Sequence, residues 1–145
     1  MSGDAQTINL APNPENKCFG CGGANDAGML LTFEQDNVNR RILGTFVMGE
    51  RYQGGGGMLH GGIIALLLDE AMGKVCRFRE ARAVTADMNI DFLKPIRVDQ
   101  EIVVEAFETG ARGRNLFHMG EIRDTAGNVL ARARARFVVL AENKS

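Results

Sequence analysis

GGIIALLLDEAMGKVCR, residues 61–77, is the stretch with the length and composition of a helix, and the rest of the chain arranges itself around it. Upstream, residues 29–36 and 40–48 read as two strands split by the turn-like Asp36-Asn37. A loop over 49–57 follows, with four consecutive glycines. Downstream the pattern changes to strands over 83–93, 101–109, 115–124 and 129–140. Turn signals separate them at Pro95, at 110–113 and at Ala126-Gly127-Asn128. In ARARARF, residues 131–137, alternation is strict: Arg132, Arg134 and Arg136 share one face, and alanines, then Phe137 and Val139, share the other. Period two means one wet face and one covered face, and the small alanines predict a closely packed helix on the covered side. Residues 86–92 alternate likewise, with Met88, Ile90 and Phe92 against Asp87, Asn89 and Asp91. Two strands, one long helix and four strands make an α+β chain. Its antiparallel sheet of about six strands needs a cover for its apolar face, and the 61–77 helix is the candidate. Residues 1–28, rich in Gly, Pro and Asn and without a clear period, read as a leader folded back on a single domain over 29–145.

Composition narrows the function. A chain of 145 residues suits one domain with a real core, and its 45% apolar and 24% charged content is ordinary. A net charge of -1 argues against a general nucleic-acid binder, which needs a basic surface to displace phosphate counterions. The first ten residues carry no apolar run, and the longest apolar stretch, 63–68, is far too short to span a bilayer. The expectation is a cytoplasmic protein without a membrane partner. Cys18-Phe19-Gly20-Cys21 has the spacing of half a zinc knuckle or a redox dithiol. Zinc needs four ligands, and only Cys76 and two histidines remain, far along the chain. A redox pair would follow a strand and open a helix, whereas these flanks are Pro- and Gly-rich. The two cysteines therefore read as small residues in a tight turn.

Chemistry concentrates at the helix. His60-Gly61-Gly62 stands at its start and Asp69-Glu70 in its middle. The first N–H groups of a helix lack intrahelical acceptors and point outward with the positive end of the dipole. Glycines there let a ligand carbonyl approach the backbone, as an oxyanion hole requires. Glu70 shares its stripe with Lys74 and Arg77, an ordinary solvated ion-pair face. Asp69 shares its stripe with Gly62, Ala65, Leu66, Met72, Gly73 and Cys76, where a carboxylate is costly without partners or a function. His118, in a strand without an acidic neighbour, reads as structural, and arginines 132, 134 and 136 as a solvated strand face. Arg112 and Arg114 are the best local basic candidates for a phosphate.

Tyr52-Gln53 followed by Met58-Leu59-His60-Gly61-Gly62-Ile63-Ile64-Ala65-Leu66-Leu67-Leu68-Asp69 resembles the active-site segment of hotdog-fold acyl-CoA thioesterases. The group is that of the phenylacetate-pathway thioesterases and the mammalian thioesterase-superfamily members. Cys18-Phe19-Gly20-Cys21 with Asn25, Gly28 and Leu30, then 85–90, then Arg112-Gly113-Arg114, are similar to further pieces of that group in order. The resemblance runs from about residue 17 to 140 and implies a hotdog fold, a sheet wrapped round one helix, acting on an acyl-CoA thioester. It matches Asp69 to the catalytic carboxylate, acting as nucleophile or as general base. It matches Gly61 to the backbone N–H that polarises the carbonyl, with Gly62 beside it at the substrate. His60 matches a residue that shapes the site, Thr85 a hydroxyl that positions water, and Arg112 and Arg114 a turn near the coenzyme A phosphates. Gln53 stands seven places before His60, where relatives carry an amide six before. The chemistry requires no metal or cofactor, since carbonyl polarisation and a carboxylate suffice. The resemblance further implies a homodimer, with pairing into a tetramer left open, in which Asp69 faces the partner's Gly61. A non-catalytic acyl-CoA-binding or sensing protein is the alternative. A hotdog dehydratase would call for an Asp/His arrangement not found here.

Overall fold

The structure, a computed structural model, describes residues 6–140; the first five residues of the leader and the last five of the domain lie outside them. The helical stretch folds as α1, Gly61–Lys74, and then tightens into a 3-10 turn over Val75–Arg79 that Glu80 closes in the left-handed region at φ 51°. The tightening follows from the Met72 carbonyl. It accepts the amide of Val75 and also lies 2.7 Å from the ring Nδ1 of His118.

Among the described residues, seven strands form one antiparallel sheet: β1 Thr7–Leu10, β2 Phe33–Asp36, β3 Arg41–Val47, β4 Ala83–Phe92, β5 Glu101–Arg112, β6 Asn115–Asp124 and β7 Val129–Val139. Their order across the sheet is β1-β2-β3-β5-β6-β7-β4. Three strands separate β3 from β4, so the chain between them must cross the sheet, and α1 makes the crossing while touching β3 through β7. The expected count of about six strands is one short. Thr7–Leu10 in the leader pairs with β2, but four residues are too few to show a period. β2 in turn starts later than expected. Leu30 has φ 53°, and the amides of Met29 and Leu31 bond to the leader carbonyls of Phe19 and Gly20 rather than to a strand. β5 runs past Gly110 because the register shifts between Glu108 and Gly110, and the chain reverses at Gly113, φ 61°.

The expected close packing of helix on sheet is present. Ala106, Gly120 and Ala133 stand side by side on β5, β6 and β7, a row of small residues beneath α1. A Cβ on Gly120 would lie 3.2 Å from both Leu68 Cδ2 and Met72 Cγ. Leu67, Leu68, Ala71 and Met72 are fully buried there. Each large side chain so buried contributes about 1.5–3 kcal/mol. The opposite face of the sheet is less free than its arginines suggested. Arg132 bonds Glu121, which also takes Arg123; Arg123 and Arg41 both reach Glu105, and Arg136 bonds Asp87. Glu105 and Glu121 are buried in this ladder. β4 closes one edge of the sheet, so Met88 and Ile90 are half-buried, while Phe92, expected on the covered face, is 57% exposed.

Candidate functional site

The start of α1 is organised by His60. Its ring Nδ1 accepts the amide of Gly62 at 2.8 Å, which places the neutral ring's proton on Nε2. The His60 carbonyl accepts the amides of Ile63 at 2.9 Å and Ile64 at 3.1 Å. The amide of Gly61 has no acceptor among the described residues, and it is exposed. Of the orphan donors at this helix end, Gly61 is therefore the one left for a ligand, while Gly62 is engaged by the cap. Gln53 lies alongside: it bridges to Leu59, and the amide of His60 donates to the Tyr52 carbonyl at 2.9 Å. The extra residue between Gln53 and His60 is absorbed in the glycine loop, where Gly56 and Gly57 adopt φ 55° and 79°. Gln53 thus stays against the helix start despite its offset.

Two turns further on, Asp69 is half-buried and its Oδ1 accepts the hydroxyl of Thr85 at 2.7 Å. Thr85 sits at the bulge of β4, where the register shifts between Thr85 and Asp87. A carboxylate with one oxygen held and the other without a protein donor among the described residues can attack or accept a proton.

Gly61 and Asp69 do not meet within one chain. Eight residues of α-helix separate Gly61 from Asp69 by about 12 Å along the axis, too far for one carbonyl to touch both. A shallow cleft lined by Leu59, Gly61, Ile64, Phe92 and Ile96 opens beside the helix start. Phe92 is a neighbour of the helix start that the alternation of β4 concealed: a Cβ on Gly61 would stand 3.7 Å from its ring. Arg112 and Arg114 are exposed at the β5–β6 turn. The Arg114 carbonyl accepts the amide of Val139, which pairs with Ala83. That places the turn two strand spacings of about 4.8 Å from the start of β4.

Two expectations need correction. Glu70 is not on a solvated face with Lys74 and Arg77: Arg77 bonds Gln35 at 2.8 Å, and Lys74 lies over the Phe33 ring. Glu70 instead meets the leader: its Oε2 accepts the Cys18 thiol at 3.7 Å, and the Cys21 sulfur lies within 4.8 Å of the same carboxylate. Burial, then the Glu70 carboxylate, push the Cys21 thiol up to about 12. Periodicity along the helix could not show a loop from 52 residues away. His118 does have an acidic neighbour, Glu108, directly across on β5, though that carboxylate is bonded to Arg79. Its role is still structural, since it is 1% exposed and bonded to the Met72 carbonyl. Burial holds the imidazole below its ordinary value.

Residues 56–131 match the family described as the thioesterase superfamily. Acyl-coenzyme A thioesterase THEM4 of Rattus norvegicus is 36% identical over 110 residues, 75% of this chain and 47% of that protein. Acyl-coenzyme A thioesterase 13 of Mus musculus is 42% identical over 52 residues, 34% of this chain and 37% of that one. The chain thus spans about half the length, or less, of these relatives. Among solved structures, a thioesterase superfamily protein superposes with a TM-score of 0.78 at 24% identity, over 84% of this chain and 60% of that one. The smu.793 protein of Streptococcus mutans UA159, bound to acetyl CoA, gives 0.68 at 19% identity, over 72% of this chain and 84% of that one. The fold is shared with both: a sheet wrapped round one helix, the hotdog architecture.

Proposed function

The chain belongs to the thioesterase superfamily, and on that premise we propose that it hydrolyses acyl-coenzyme A thioesters to the free acid and coenzyme A. The observation that carries this is the single amide left open at the start of α1. With Gly62 bonded to His60, and Ile63 and Ile64 bonded to its carbonyl, Gly61 N–H remains to receive the oxygen of a thioester. Negative charge grows on that oxygen in the transition state, and the N–H and the helix dipole stabilise it there. Asp69, held by Thr85, supplies the attack, either directly on the carbonyl carbon or by taking a proton from water that Thr85 helps to place. His60 holds the turn in shape, and its Nε2–H is the donor available to the departing sulfur. Gln53 borders the same helix start. The apolar cleft beside Gly61 suits an apolar acyl group, and Arg112 and Arg114 suit the coenzyme A phosphates.

The distance of about 12 Å between Gly61 and Asp69 supports a homodimer in which each site takes Asp69 from one chain and Gly61 from the other. The free edge of β4, with Val84 and Phe92 exposed, is where a second sheet would continue the first. Free-thiol release from short, long and aromatic acyl-CoAs tests the proposal. Release from at least one, lost in Asp69→Asn, supports it; binding of acyl-CoA with no release from any would make the protein a sensor instead.

A further inference from the structure

We propose that Cys18, Cys21 and Glu70 bind one zinc-class divalent cation, which pins the leader to the middle of α1. The site lies apart from the reacting carbonyl. Glu70 follows Asp69 in sequence but projects about 100° further round the helix.

The sequence spacing supplies half a zinc knuckle, and the fold brings the missing donor to it. The two sulfurs and a Glu70 oxygen all lie within 4.8 Å of one another, and Cys18 Sγ is 3.7 Å from Glu70 Oε2. Tetrahedral zinc, with sulfur at about 2.3 Å and oxygen at about 2.0–2.2 Å, holds sulfur and oxygen about 3.5 Å apart and two sulfurs about 3.8 Å apart. The donors therefore already stand close to the spacing the ion imposes. Charge points the same way. Glu70 is half-buried and has no ion pair among the described residues, where a carboxylate gains most from a cation. The loop is also built for the approach. A Cβ on Gly20 would fall 2.6 Å from Glu70 Cδ, so the bare glycine leaves room for the carboxylate where it stands beside the thiols. Backbone bonds from Met29 and Leu31 to the carbonyls of Phe19 and Gly20 hold the loop. All three donors are half-exposed, so water completes a four-coordinate ion.

The test uses the reduced full chain. Zinc retained after dialysis is measured by mass spectrometry, and cobalt(II) is titrated into the metal-free protein while thiolate-to-cobalt absorption is followed in the near ultraviolet. The expected result is about one metal per chain, lost in the Cys18→Ser/Cys21→Ser double variant and kept in Cys76→Ser. Glu70→Gln should weaken zinc at least ~10-fold, the scale on which even outer-shell partners act. The cobalt spectrum of the unmutated protein needs no variant to fold. No retained zinc and no thiolate band in that protein would overturn the site. So would zinc retention unchanged in a folded double variant, or a Cys18–Cys21 disulfide that takes up no cobalt once reduced.

Discussion

Gly61 carries the sharpest prediction at the scale of single residues, because its amide can be deleted with little effect on the fold. Proline lacks the N–H yet is tolerated at the first helical position. The preceding residue, His60, already has φ -61° and ψ 134°, the extended conformation that a following proline favours. Gly61→Pro should leave the melting temperature nearly unchanged and lower kcat by ~10²–10³, the usual scale for losing one oxyanion donor. Full activity in a folded variant would place the oxyanion elsewhere. Asp69→Asn should lower kcat at least ~10²-fold while acyl-CoA still binds, since the change is isosteric. Thr85→Val removes the hydroxyl that holds Asp69 and helps to place water but leaves the carboxylate itself, so a smaller loss is expected, restored by Thr85→Ser. Thiol-release kinetics separate the three.

At the scale of elements, the contact between α1 and the sheet depends on two residues of β6. Gly120 lets the helix settle onto the row of small residues, and Gly120→Val would push methyl groups into Leu68 and Met72. A loss of about 1–3 kcal/mol is expected in chemical denaturation, the usual cost of overpacking. His118 ties β6 to the end of the helix, and it does so in its neutral form because burial disfavours the cation. Its folded-state value lies below the 6.5 of the free side chain, so the unfolded chain takes up the proton first. This contribution to stability is complete above pH ~6.5 and is lost as the pH falls below it. Glu108, held low by Arg79, adds its own loss only at more acidic pH. Melting temperatures between pH 8 and 5 should fall in the parent protein and fall less steeply in His118→Leu, whatever that variant loses at pH 8. Parallel slopes would remove His118 as the source.

For the whole molecule, the decisive quantity is the number of chains in one active site. If Asp69 and Gly61 act across an interface, Asp69→Asn and Gly61→Pro chains are each inactive alone but complementary when mixed. A heterodimer of the two has one site with both defects and one site with neither. Co-refolding equal amounts should restore roughly a quarter of the parent activity, since half of the dimers are mixed and half of their sites are intact. Light scattering should show a dimer or larger. Failure of complementation by two folded, dimeric variants would confine each site to one chain, which the helix length does not favour.

The elements and the spacing within the candidate site could be read from the sequence because each depends on local geometry. The period of two in 131–137 is a property of strand backbone, and it marked Ala133, Ala135 and Phe137 as the covered face, where all three are buried. The glycines after His60 and the carboxylate eight residues beyond Gly61 share one helix, so their relation follows from the turn of that helix alone. Tertiary structure decided the rest. β1 is too short to have a period; it became a strand because β2 offered a free edge. Glu70 was assigned to solvent by the stripe of its own helix, but a loop from elsewhere covers it with two thiols. Arg132 and Arg136 lie on the outer face as their alternation required, yet only strand register sets Glu121 and Asp87 against them. Which side of an element faces inward is fixed by repeats a few residues long. What each side chain meets there depends on register and on loops closing across the whole chain, and local spacing holds no record of either.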